Sequence, residues 1–159
     1  MGDTTRRKLT HYPAFSAPSA AVAYSGAPDL AHETEEVAKL ARELEGPHRP
    51  EYYGPTTVAE RRETALRTAA LADRRWWQSR TEADAQLAEA AAYALQQYDR
   101  LHPEEVAGPI GPDSIEWDAP GGLRAYVRQE YLFWYSVPPG CGPCPPEDPC
   151  PWHAEHGTR

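Results

Sequence analysis

Proline and glycine are so unevenly placed along this chain that they constrain its fold more than any other feature. All seventeen prolines of the 159 residues lie between positions 13 and 55 or between 103 and 151, and the 47 residues from Thr56 to His102 contain neither proline nor glycine. Proline removes a backbone donor and clashes with the preceding helical turn, and an interior glycine costs about 1 kcal/mol relative to alanine. Only the central stretch can therefore sustain long helix, and it is written in good helix formers: Ala, Leu, Arg, Glu and Gln. Its start, Thr57-Val58-Ala59-Glu60, has the spacing of a capping box. Unbroken, it would run for about 70 Å. The polar stretch Gln78-Ser79-Arg80-Thr81 can instead interrupt it, with Thr81 and Asp84 capping a second helix. One helix or two is left open.

Apolar periodicity supplies the faces. Val58, Ala65, Ala69, Ala72 and Trp76 share one stripe, while Leu87, Ala88, Ala91, Ala94, Leu95, Tyr98 and Leu101 form another. Alanine-rich stripes let helix axes approach closely, so these faces are expected to bury against other helices or another chain. Upstream, Asp29 can cap a helix whose Leu30, Val37, Leu40, Ala41 and Leu44 fall on one side, with Gly46-Pro47 ending it. Downstream, Leu123, Val127, Glu130 or Tyr131, and Trp134 follow helical spacing, although Tyr131-Leu132-Phe133-Trp134-Tyr135-Ser136-Val137 would also suit a strand. A third main helix is the preferred reading. Tyr126, Tyr131, Phe133, Trp134 and Tyr135 then supply most of the core.

The predicted organisation is a flexible Ala/Ser/Pro-rich arm over residues 1–28, a helical domain over 29–136 and a Cys/His tail over 137–159. Arg6-Arg7 with Ala21-Val22-Ala23 has the outline of an export signal. Its apolar stretch is broken by His11, Pro13, Ser16, Pro18 and Ser19, so a mobile arm is the better reading. No run of eighteen apolar residues exists to form a membrane span. A cytoplasmic location is expected.

Charge argues against a protein that coats nucleic acid non-specifically. The formal net charge is −8, with −4 over residues 29–46 and −6 over 103–159. Residues 1–28 carry +2, and 56–80 carries +3, with Arg61, Arg67, Arg74 and Arg75 gathered on one side of the helix. With Trp77 and Trp134 these arginines are candidate partner or phosphate contacts. The simpler expectation is that they match the acidic helix carrying Glu33, Glu35, Glu36, Glu43 and Glu45.

All three cysteines fall within Cys141-x2-Cys144-x5-Cys150-x2-His153, with His156 as a reserve ligand. Three thiolates and an imidazole can close a tetrahedral structural Zn²⁺ site, and metal would order a proline-rich tail that cannot form regular structure. Pro143, Pro145 and Pro151 withhold the backbone donors that usually steady such thiolates. Cys141-Gly142-Pro143-Cys144 is also spelled like the thioredoxin active-site tetrapeptide, but Pro145-Pro146 follows it and the strand-to-helix context that chemistry needs is not visible. An iron-sulfur cluster is a further alternative.

The sequence therefore predicts a mainly α protein, a small helical bundle or long helical hairpin with a metal-clamped tail. It reads as a non-enzymatic adaptor or accessory protein that binds Zn²⁺ and acts through a protein partner or self-association. A zinc-containing nucleic-acid-binding accessory is the alternative, and a small thiol-redox or metal-dependent enzyme the third.

Overall fold

The computed structural model describes residues 17–136, and the expected zinc ligands Cys141, Cys144, Cys150 and His153 lie outside that range. Every regular element among the described residues is helical: α1 (Ala20–Ala23), α2 (Leu30–Leu44), α3 (Val58–Ser79), α4 (Glu82–Leu101) and α5 (Gly122–Ser136), with short 3₁₀ turns in the connections.

The caps form where the sequence placed them. Asp29 Oδ1 accepts from the Ala31 and His32 amides at 2.8 and 3.1 Å. At α3, Thr57 and Glu60 complete the reciprocal capping box. Arg49 fixes the approach to it, donating to the Gly54 carbonyl and to both Glu60 oxygens. The central stretch is two helices. α3 ends at Arg80, whose φ of 56° is left-handed, and this non-glycine residue is held by Nε donation to the Trp77 carbonyl at 2.9 Å. Thr81 then caps α4, accepting from the Asp84 amide, while the Asp84 carboxylate accepts from the hydroxyls of Thr81 and Ser79.

With only Arg80 and Thr81 between them, α3 and α4 fold back as an antiparallel hairpin, shown by Arg62 meeting Asp99 near the open end. α5 lies along the hairpin, from Arg124 beside Glu89 near its tip to Glu130 beside Arg62. α2 runs antiparallel to α3 on another side, with Pro28 beside Arg74 and Glu33 beside Arg67. The core is Leu66, Ala69, Ala70, Ala92, Leu95, Trp117, Tyr126, Val127 and Tyr131.

Three expectations need correction. First, the described part of the N-terminal arm is packed. Ala20 and Ala23 are buried, Tyr24 meets the Tyr131 ring edge-on at 5.2 Å, and its hydroxyl donates to Asp73. The small residues that suggested a loose arm are what allow this close approach. Second, the buried face of α3 is centred on Arg62, Leu66, Ala69, Ala70 and Asp73, rotated from the expected stripe so that Val58, Ala65, Ala72 and Trp76 flank it. Third, the expected α4 stripe is split. Of its members Ala88 and Leu95 are buried, joined by Ala92 from outside the stripe, but Leu87 and Leu101 are 62% and 76% exposed, and Ala94 is also exposed. Both shifts have one cause. The inner faces turn to satisfy buried charges whose partners lie on other helices.

Candidate interaction surface

The interior of the bundle is unusually polar, and it is chemically closed. Asp99 and Glu130 are fully buried and Arg62 is 3% exposed. Arg62 joins α3, α4 and α5. Its Nε and Nη2 donate to the two Asp99 oxygens at 2.7 and 2.9 Å, and Nη2 also donates to Glu130 at 2.7 Å. Asp99 accepts further from the Tyr126 hydroxyl at 2.6 Å. Glu130 accepts from the Ala107 and Gly108 backbone amides at 2.7 and 2.9 Å and from the Gln129 side-chain Nε2 at 3.0 Å. Two carboxylates against one guanidinium would leave a buried negative charge, and the two backbone donors offset it.

These contacts shift titration. Burial pulls the Arg62 guanidinium down, but its bonds to Asp99 and Glu130 outweigh this and hold it above its ordinary value. Burial, reinforced by Glu130 and Asp99, pushes the Tyr126 phenol far up. Gly108 must be glycine for space: a Cβ there would stand 2.5 Å from both Gln129 Cδ and Glu130 Oε1.

A second buried carboxylate, Asp73, accepts from Arg128 Nε and Nη2 at 2.7 and 2.9 Å and from the Tyr24 hydroxyl at 2.8 Å. Both oxygens of Asp73, Asp99 and Glu130 are thus committed to structural partners. Among the described residues no group of three or more His, Cys, Asp or Glu side chains is arranged to hold a metal ion.

Half of the expected arginine row, Arg67 and Arg74, is partly covered by the segment of the same chain that precedes and forms α2. Arg67 is bidentate to Glu33 at 2.7 and 2.9 Å and also reaches Glu63. Arg74 donates to the Pro28 carbonyl at 2.5 Å and lies over the Tyr24 ring. Arg75 donates to Thr34 at 3.2 Å. Arg61 and Arg75 remain exposed. Among the described residues the predicted charge match to α2 is made by Glu33, which is 2% exposed, and not by Glu35, Glu36, Glu43 or Glu45.

Trp134 borders the core, its ring 5.7 Å from Tyr131, and of the aromatic cluster Tyr126 and Tyr131 are fully buried while Tyr135 is 47% exposed. Trp77 is 42% exposed. Arg80 lies over it at 3.9 Å and over Trp76 at 4.6 Å, and Arg124 covers Trp76 at 3.7 Å. A cleft of about 200 Å³ separates this corner from α1, lined by Ala20, Ala21, Tyr24, Arg74, Trp77 and Gln78. Small-molecule pockets typically measure about 300–1,000 Å³, so this cleft is small for a substrate.

The surface that the expectations missed is the outer side of α4. Ala83, Leu87, Ala90, Tyr93, Ala94 and Leu101 are all exposed there, and none is charged. Leu87, Ala94 and Leu101 belong to the stripe expected to be buried, whereas Ala83, Ala90 and Tyr93 lie outside it. No helix among the described residues is long and apolar enough to cross a membrane. No protein-family model matches the sequence, and no curated protein or solved structure matches it.

Proposed function

We propose that this chain is a non-enzymatic helical adaptor or accessory protein that works through protein-protein contact. The observation that carries this reading is the outer face of α4, where Leu87, Tyr93 and Leu101 are 62%, 55% and 76% exposed on a helix whose opposite side already fills the core. Contiguous apolar exposure of this kind marks interaction surfaces. The buried carboxylates add support, because each is bound to arginine, tyrosine or backbone donors and none faces a cleft of substrate size. In this reading the tail is a separate structural unit, with Zn²⁺ held by Cys141, Cys144, Cys150 and His153 and the protein working in the cytoplasm. Protein purified under reducing conditions should carry close to one Zn²⁺ per chain. Metal-free protein would remove that part of the reading without touching the rest.

The contact reading is tested in cells with a photo-crosslinking amino acid at position 87 or 101. A discrete protein adduct is expected from both positions, and none from the exposed control position Arg42. Adducts to nucleic acid, or no adduct at either position, would overturn it and favour the nucleic-acid alternative, for which Arg61, Arg74, Arg75 and Trp77 are the residues to substitute.

A further inference from the structure

The spacing along the outer face of α4 specifies more than a generic partner. Ala83, Leu87, Ala90, Ala94, Gln97 and Leu101 follow one another at alternating steps of four and three, the rhythm of the inward positions of a coiled-coil seam. The row spans roughly 27 Å. One residue in four of the chain is charged. Yet neither these six positions nor the residues beside them, Gln86 and Tyr93 on one flank and Ala91 and Tyr98 on the other, carry any charge.

The row is also complementary to itself when reversed. Turned about a two-fold axis beside Ala92, Leu101 falls on the partner's Ala83, Leu87 on the partner's Gln97, and Ala90 on the partner's Ala94. Leu101 meets the small Ala83 and Leu87 meets the half-buried Gln97, whose Nε2 is covered by its own chain, and the alanine layers let the two helices approach closely. A parallel pairing would instead stack Leu87 on Leu87 and Leu101 on Leu101, with Ala90 and Ala94 layers between them too small to fill the same gap. Reversal also opposes the helix dipoles. It sets the acidic first turn, Glu82 and Asp84, at the end that carries the partner's Arg100, which within its own chain is paired with Asp113 at 2.8 Å.

We propose that the outer face of α4 binds a second copy of this chain, forming a two-fold dimer through an antiparallel α4–α4 seam. This rests on reading α4 as a protein contact surface, and it names the partner. Two such faces remove on the order of 1,000 Å² from water, the lower end for a specific interface. The dimer is therefore reversible, and its symmetry is the commonest for soluble homo-oligomers.

The test uses the purified full chain across a concentration series in sedimentation velocity. The wild type should shift from monomer to dimer as concentration rises. Leu87→Arg and Leu101→Arg should each raise the dissociation constant at least 30-fold with an unchanged circular dichroism spectrum and melting temperature at low concentration, since both side chains are exposed. A photo-crosslinker at position 101 should join chains and map to residues 80–87 of the second copy. A wild type that stays monomeric up to several hundred micromolar, or a dimer indifferent to both substitutions, would overturn the proposal. So would crosslinks from 101 that map near 101 of the second copy or within the same chain. A monomeric chain that still gives a discrete adduct with a different protein in cells would sink self-pairing and leave the contact reading standing.

Discussion

The two faces of α4 reverse the ordinary arrangement of a helix. Its inner side buries Gln96 and Asp99 alongside Ala88, Ala92 and Leu95, while its outer side leaves Leu87 and Leu101 in solvent. A buried charge is costly unless it is paired and hydrogen-bonded, and the inner face meets that condition through Arg62 and Tyr126. The outer face is apolar with nothing described against it. The comparison shows that α4 is oriented by its polar partners more than by its apolar content. What it offers outward is an uncharged, largely apolar surface.

The largest effect should come from the inner face. Asp99→Ala leaves the Arg62 guanidinium buried with half its partners gone and the Tyr126 hydroxyl without its acceptor, a loss of about 3–5 kcal/mol. Denaturant unfolding would measure it, and a loss under 1 kcal/mol would mean the network is not closed as described. Leu95→Asp places an unpaired carboxylate where the side chain is fully buried, and should cost on the order of 3 kcal/mol. Gly108→Ala forces a methyl group against Gln129 and Glu130, and should cost about 1–3 kcal/mol by overpacking.

Acid titration separates the helix starts from the interior. The Glu60 carboxyl is held below the usual carboxylate range by the Thr57 amide and by Arg49, and Asp84 is held low by the Ser79 and Thr81 hydroxyls. Because the charged form is favoured in the folded state, the stability these caps add is present at neutral pH. It is lost as the pH falls below about 4 and through their lowered values. The melting-temperature gap between wild type and a Glu60→Gln, Asp84→Asn double variant should therefore narrow on acidification. A gap that does not change with pH would show that the carboxylates act only by shape.

The smallest effect should be Leu87→Asp. With 62% of this residue exposed, monomer stability should move by no more than about 0.5 kcal/mol. Read beside Leu95→Asp eight residues along the same helix, it is the sharpest single check on which side of α4 is inside.

Local signals in the sequence accounted for the elements well. Asp29, Thr57 with Glu60, and Thr81 with Asp84 cap the three long N-terminal helices, and the proline-free stretch contains α3 and α4. The break at Arg80 was legible only as an ambiguity. A left-handed residue with an arginine side chain gives no propensity signal, and it is held by contacts with Trp76 and Trp77 that exist only once the turn has formed. Tyr131 to Ser136 had the composition of a strand yet forms the last turns of α5, because burial of Tyr131 and Trp134 along a helical face overrides their β preference. Among the candidate contacts, Arg67 was recognised as basic surface, whereas Arg62 and Arg128, which hold the interior together, were not singled out. Nothing local distinguishes an arginine that will be buried from one that will not.

What the sequence determined by itself is where helices start and stop, since caps, prolines and glycines act through hydrogen bonds and dihedrals within a few residues. Which face of each helix is inside was decided only by the tertiary structure. On α4 the row with Ala88 and Leu95 and the row with Leu87 and Ala94 differ by one residue, a rotation of about 100°, and both are apolar at helical spacing. The choice between them was made by Arg62, 37 residues before Asp99, and by Tyr126, 27 residues after it, because a buried carboxylate must find its donors wherever the fold brings them.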